Sequence, residues 1–497
     1  MQSETNAYRL HKISPLFILF DNIKKLIFPI LIALLGSRGN SWELYALGFA
    51  LIISLFAIAQ YRFYRYWLEG DKIRVKEGIF FRNVRQVPYK KIQNLNLVQS
   101  PLHRLFGVVK VQLESASGGK PEAVISVIDM EAVNLLKLKI NGEEEEREQE
   151  EDTGEVKDSI LSLSFGEIVR YGMITNRGIV AVAVFFGFMM QFMDNQVERL
   201  VKSYISQFTQ WIDGLISSVQ IENGLLYFSI LTVVGLIAAV IALWILSIAM
   251  ALLKFHGFML IKAKDKLQAT LGLLTRLQAT IPITRIQSLT IHESLLHRWF
   301  KRIGITIETA GGVNSDQQGV SMKQVVPLAP NTMRDELLKE IQADVDWNAI
   351  EWKGLHPKGW RRVFKVMLII GLVVGLPTLL YSIYAYPVWL LVWGLYSVYY
   401  SKAYIRTAGY TMNDEVIGFK DGVIFSKCTF VRLPKTQTIA VKESPFDRRH
   451  RMASLEVDTA GAMIGAHHIN IPYINLEDAL AIKNRISDKI KGTQFKW

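Results

Sequence analysis

Lys91–Ala116 reads KIQNLNLVQSPLHRLFGVVKVQLESA, and the pattern returns at Arg285–Ala310, RIQSLTIHESLLHRWFKRIGITIETA, and at Lys435–Ala460, KTQTIAVKESPFDRRHRMASLEVDTA. The three stretches align without a gap, the second 194 and the third 344 positions beyond the first. Gln93, Gln287 and Gln437 coincide, as do Ser100, Ser294 and Ser444, and then Arg104, Arg298 and Arg448. Charge type is kept at Lys91, Arg285 and Lys435, and at Glu114, Glu308 and Asp458. Apolar residues alternate inside each copy, Leu95 and Leu97 matching Leu289 and Ile291, then Ile439 and Val441. A period of two puts these side chains on one face of a half-buried strand, so the block reads as β structure present three times.

Upstream of each block, turn residues punctuate further short strands: Gly70, Asp71 and Gly78, then Asp265 and Gly272, then Asn413, Asp414, Asp421 and Gly422. A proline precedes the block each time, at Pro88, Pro282 and Pro434. Downstream, Asp129, Asn331 and Asn475 are N-cap residues for helices predicted over Glu131–Ile140, Met333–Ile341 and Leu476–Ile490. Several short strands and one closing helix describe a small sandwich or open barrel plugged at one end.

Ahead of each copy lie hydrophobic segments, in pairs. They are Leu26–Leu35 with Leu44–Tyr61, Gly178–Met193 with Asn223–Leu253, and Val366–Ser401 turning at Tyr384–Pro387. About 20 apolar residues cross a bilayer, so the expectation is a multi-pass α-helical membrane protein. The connections on one side carry only Arg38, Arg199 and Lys202, so both termini and all three β domains are expected to be cytoplasmic. The expected layout is 1–65 for the first helices, 66–141 for domain 1, 142–160 for an acidic linker and 161–254 for helices 3 and 4. It continues with 255–345 for domain 2, 346–404 for helices 5 and 6 and 405–497 for domain 3. Within 197–219, apolar residues recur on one helical face, as in an amphipathic helix at the outer interface or one packed on the other spans.

Half of the 497 residues are hydrophobic while 21% are charged, so greasy and soluble parts alternate. The net charge of +12 suits a surface facing anionic lipid, although membrane topology alone produces the same excess. The single cysteine, Cys428, excludes an intramolecular disulfide and any multi-cysteine metal site. Residues 143–152, an acidic run, repel one another and read as a solvated linker.

Paired spans followed by a strand-rich unit with a proline, a glutamine block, the Ser100–Arg104 segment and the Thr-Ala-Gly elements Thr309–Gly311 and Thr459–Gly461 resemble the bacterial pleckstrin-homology-like membrane proteins, in the form with three domain copies. The resemblance covers nearly the whole chain. It implies a seven-stranded, strongly bent sheet capped by a C-terminal helix, no catalytic residues, and partnership with a smaller two-span relative carrying one such domain. The third copy departs most, with Phe446 and Asp447 in place of Leu-His.

No Walker loop, dinucleotide fingerprint or nucleophile elbow occurs. His292, Glu293 and His297 have the wrong spacing for zinc on a helix, which needs histidines four apart, and His467–His468 reads as exposed loop. Gly371 and Gly375 have the small-residue spacing that lets helices approach closely. The expectation is therefore no catalytic residue, no metal, no cofactor and no nucleic-acid partner. Candidate ligand or partner contacts are Lys91, Arg285, Lys435, Arg104, Arg298 and Arg448, the first three within reach of anionic headgroups. Gln93, Gln287, Gln437, Ser100, Ser294 and Ser444 form the repeat signature, which the fold alone would also preserve. The functional expectation is a non-enzymatic membrane protein whose domains bind protein or lipid, in envelope stress or resistance to membrane-active antimicrobial peptides. The alternative is an exporter or passage for hydrophobic peptides.

Overall fold

In this computed structural model the described residues are 8–17, 61–79, 81–115, 122–141, 159–175, 224–263, 265–309, 324–381, 383–459 and 468–491, with isolated positions between 19 and 59 and between 178 and 214. In the first unit, Tyr8 bridges to Tyr66 on β1 (Arg65–Leu68). Strands β2 (Lys72–Glu77) and β3 (Asn83–Pro88) continue that sheet. A 3-10 turn leads into β4 (Ile92–Gln99), then α1 (Pro101–Leu105), β5 (Val108–Ser115), β6 (Ala123–Asp129) and the closing helix α2 (Met130–Asn141).

The second unit runs β7 (Ser159–Ser162), α3 (Phe165–Thr175), α4 (Gly224–Phe255), β8 (Met259–Ala263), β9 (Lys266–Leu271) and β10 (Arg276–Pro282). It continues through β11 (Ile286–Ser294), α5 (Leu295–Trp299), β12 (Arg302–Thr309), β13 (Gln324–Pro330) and α6 (Arg334–Ile341). The third repeats this as β14 (Lys353–Gly354), α7 (Trp360–Gly375), α8 (Ala385–Thr407), β15 (Gly409–Met412), β16 (Val416–Asp421) and β17 (Phe425–Arg432). Its second half is β18 (Thr436–Lys442), α9 (Pro445–Arg448), β19 (Met452–Thr459), β20 (His468–Asn475) and α10 (Leu476–Lys491).

Local chemistry explains the recurrence. Gly78, Gly272 and Gly422 stand at equivalent turns with φ of 101°, 110° and 88°, a backbone region that side chains other than glycine rarely enter. A Cβ at each would lie 2.0 Å from the carbonyl oxygen three residues on, so the hairpin admits no side chain there. Along β9 buried and half-buried residues alternate, and Leu267, Ala269 and Leu271 enter the core. Ile73, Leu113, Ile125, Leu289 and Ile471 are fully buried, each worth about 1.5–3 kcal/mol of hydrophobic stabilisation.

The first strand of each β unit precedes its helices. Leu161 on β7 pairs with Leu260 on β8, and Lys353 on β14 pairs with Tyr410 on β15, as Tyr8 does with Tyr66. In the second and third units the helices are therefore inserted between the first and second strands, whereas each soluble unit was expected to begin after its helical pair.

The sheets also run across unit boundaries. β6-β5-β4 of the first unit and β10-β9-β8-β7 of the second form one seven-stranded antiparallel sheet, and β13-β12-β11 with β17-β16-β15-β14 form another. At the chain ends, β1-β2-β3 and β18-β19-β20 are left as three-stranded half-sheets.

The expected multi-pass α-helical membrane protein is corrected. Antiparallel sheet dominates, and among the described residues one helix, Thr232–Phe255, has the length and apolarity to cross a bilayer, with a mean hydropathy of 2.8. The uncharged run Val366–Ser401 breaks into α7, of 16 residues, and α8, whose Tyr386, Tyr396, Tyr399, Tyr400, Ser397 and Ser401 make it less apolar than its lack of charge suggests. Freedom from charge is a weaker property than hydrophobicity. Leu26–Leu35 lies outside the described residues, and so do Leu44–Tyr61, Gly178–Met193 and the 197–219 helix apart from isolated positions.

Candidate functional site: the seams between units

The residues singled out by the repeat fall into three groups. Ser100, Ser294 and Ser444 are helix N-caps, accepting from the backbone N–H of His103, His297 and Asp447 at 3.5, 3.3 and 3.2 Å. The capped residue returns the contact. His103 Nδ1 lies 2.6 Å from Ser100 Oγ, His297 Nδ1 lies 2.8 Å from Ser294 Oγ, and Asp447 bonds the Ser444 hydroxyl. Asp447 thus takes over the histidine's task in the drifted third copy. It gains Arg362 of α7 as a partner, with the guanidinium Nε 3.4 Å from Oδ1. Burial, then His292, pushes His297 down to about 4, so its imidazole is neutral and Nδ1 can accept from the Ser294 N–H at 3.3 Å. His292 bonds Thr306 at 2.7 Å, so both histidines of the rejected zinc pattern have ordinary partners. His467–His468 lies outside the described residues, apart from the backbone of His468.

The second group builds the seams. β4 pairs with β10 through Gln99–Arg276, Val98–Leu277 and Leu97–Gln278. β11 pairs with β17 from Ser288–Val431 to Ser294–Phe425, and Thr290 and Thr429 join hydroxyls across it at 3.1 Å. Arg104 reaches over the first seam and donates through Nη2 to the carbonyls of Leu273 and Leu274 at 2.9 and 3.0 Å. Arg298 instead lies 4.0 Å from Glu293 beside a cavity of about 410 Å³ that also touches Lys301 and Arg302. Arg448 stands on α9 at the open end of the third unit. Gln287 is 4% exposed under β17, Gln437 is exposed because no described strand covers β18, and the side chain of Gln93 lies outside the described set.

The third group is basic. Lys91, Arg285 and Lys435 end the three equivalent 3-10 turns. Lys91 is exposed, but the second seam brings Arg285 and Lys435 together, from different units, with Arg432 beside them. Burial lowers the Lys435 ammonium below the usual lysine range, and Arg432 and Arg285 lower it further. Burial also lowers Arg285 and Arg432. Arg432 bonds Asp344, while among the described residues Arg285 and Lys435 have no ion-pair partner. Cations crowded in this way against their own repulsion favour an anion. Arg432 and Asp344 were not foreseen from sequence. The available signal was that Arg432 occupies the position held by Pro88 and Pro282 in the other copies.

Between the second and third units a cavity of about 120 Å³ is lined by Glu293, Arg334, Trp352, Lys420, Ser426 and Cys428. Burial pushes the Cys428 thiol up to about 12, which removes thiolate reactivity at neutral pH.

The family described as Bacterial PH domain matches residues 19–143, 219–340 and 366–490. The chain is also similar to a protein of Bacillus subtilis (strain 168) described as UPF0699 transmembrane protein YdbT, with 25% identity over 470 residues covering 90% of this chain and 91% of that one. No solved structure matches. Three matched segments, three closing helices and one set of caps repeated in register lead to one assignment: the chain belongs to the Bacterial PH domain family, with the domain in three copies.

Proposed function

We propose that the chain is a membrane-associated, non-enzymatic scaffold whose joined PH units bind anionic lipid headgroups at the seam between the second and third copies. The carrying observation is the half-buried cluster of Arg285, Arg432 and Lys435, in which two cations lack carboxylate partners among the described residues. Membrane association is supported by the transmembrane relative and by Thr232–Phe255, a helix only 11% buried within the molecule. A cytoplasmic position for the β units, at a bacterial cell membrane, is part of the same proposal. A smaller single-domain membrane protein of the same family is the proposed protein partner. The physiological reading is envelope stress and tolerance of membrane-active antimicrobial peptides.

The test uses the full chain in phosphatidylcholine nanodiscs titrated with a water-soluble short-chain phosphatidylglycerol. Saturable binding that weakens with salt, and falls at least tenfold when Arg285→Ala and Lys435→Ala are combined, is the expected result. Equal binding by the variant sinks the reading. At the cellular level, a deletion strain should become more sensitive to cationic peptides and recover with the wild-type gene but not with the double variant.

A further inference from the structure

The molecule uses one joint twice. In each case the first strand of a unit's second half-sheet pairs antiparallel with the last strand of the next unit's first half-sheet. The register is the same both times. Arg276 faces Gln99 at the first seam and Ser426 faces Glu293 at the second; Gln278 faces Leu97, and Cys428 faces Ile291. Arg276 and Ser426 both correspond to Arg82 of the first copy, and Gln99 and Glu293 both correspond to Glu443 of the third.

The chain ends with both halves of this joint unused. Among the described residues β3 pairs with β2 alone, and β18 with β19 alone. Surfaces sealed at the inner seams are bare here. Val84 is 47% exposed where its counterpart Cys428 is 6% exposed, and Asn83 is exposed where Leu277 is 4% exposed. On the other edge, Gln437 and Thr438 are exposed where Gln287 and Ser288 are 4% and 3% exposed. Open edge strands are sites for strand addition.

We infer that β18 of one chain pairs antiparallel with β3 of a second copy, setting Arg82 opposite Glu443, Val84 opposite Val441 and Gln86 opposite Ile439. The occupant is a second copy because the two bare edges are the missing halves of a single joint whose register the chain records twice. The charges agree, since Arg82 and Glu443 are opposite in sign at facing positions and no pair of like charges meets between residues 82 and 87. Arg448, equivalent to Arg104, then stands where it can donate to the carbonyl of Ile79, the counterpart of Leu273. Such a contact joins two different surfaces, so it is head-to-tail and propagates into a ring or a filament.

The experiment places Val84→Cys in a full-length chain with one tag and Val441→Cys in a chain with another, co-expresses them, and oxidises isolated membranes. Directly facing antiparallel residues lie about 4.5–5.5 Å apart at Cα, within disulfide reach. A dimer carrying both tags is expected, at least fivefold more abundant than with Val84→Cys and Ala440→Cys, where a one-residue slip turns the side chains to opposite faces. Arg82→Glu should reduce the crosslink and Glu443→Arg on the other chain should restore it. A chain carrying both cysteines should give a ladder of multimers. Closure within one chain, crosslinking indifferent to register, or no mixed-tag dimer from chains with wild-type proteolysis patterns would overturn the inference.

Discussion

Arg302 grips Glu167 with both arms of its guanidinium, Nε donating to Oε2 at 3.0 Å and Nη2 to Oε1 at 2.8 Å. The pair ties β12 to the first turn of α3, so a strand of the second unit sets the direction in which its inserted helical segment leaves the sheet. Arg170 adds a third bond to the same carboxylate at 2.5 Å.

Glu167→Gln should lower thermal stability of the second unit by about 1–2 kcal/mol, since hydrogen bonds to a charged acceptor exceed neutral ones and partial solvent exposure limits the loss. The Arg302 hydrogen bonds hold the Glu167 carboxyl below the usual range. Its contribution is complete above the ordinary glutamate value and disappears as pH falls through the lowered one. Unfolding curves from neutral to acid pH should show this component in wild type and lack it in the variant.

His297 is sensitive to protons in the same direction, but from a higher starting pH. Its folded value of about 4 lies below the ordinary 6.5, so the unfolded chain binds the extra proton between those limits. The neutral cap is fully stabilising above about pH 6.5 and weakens as pH falls toward 4. Hydrogen exchange at the amides of α5 should accelerate from pH 7 to pH 5, after correction for intrinsic rates, more than at those of α9, where Asp447 does the capping. His297→Asp, which copies the third unit, should remove the difference.

Arg104→Ala should loosen the first seam. Loss of the bonds to Leu273 and Leu274 at an exposed position costs about 1 kcal/mol, or roughly fivefold in local opening. Amide exchange should rise over the turn at 272–275 and over β10 while the second seam is unchanged.

Gly371 and Gly375 are the floor on which two tryptophans rest. Trp389 Nε1 donates to the Gly371 carbonyl at 2.9 Å and Trp393 Nε1 to that of Met367 at 2.7 Å, and a Cβ on Gly371 would stand 1.9 Å from the Trp393 ring. Gly371→Ala should force α7 and α8 apart and destabilise the hairpin by about 1–3 kcal/mol. Tryptophan fluorescence should shift as the rings leave the helix interface.

The repeat, the strand alternation, the turn glycines and the closing helices were legible because each depends on local sequence. Gln287 and Gln437 show where that reading stops. The same residue type occupies the same repeat position, yet one is sealed and the other bare, because burial depends on which unit comes next. The first strands were missed for a related reason. β14 has two residues and Tyr8 makes a single bridge, too short for any period to register. For the basic turns, sequence could match Arg285 with Lys435 as equivalents but could not bring them together, since equivalent positions do not ordinarily meet.

Placing the first strand of each unit ahead of its helices has a consequence for synthesis at the ribosome. Ser159–Ser162 leaves the tunnel long before its partner Met259–Ile261, and β11 must await β17 of the following unit. Neither seven-stranded sheet closes until the helical segment between β7 and β8, or between β14 and β15, has been delivered, and the middle unit is finished only by the last. Completion of each seven-stranded sheet therefore reports that the helical segment inserted into it has been put in place.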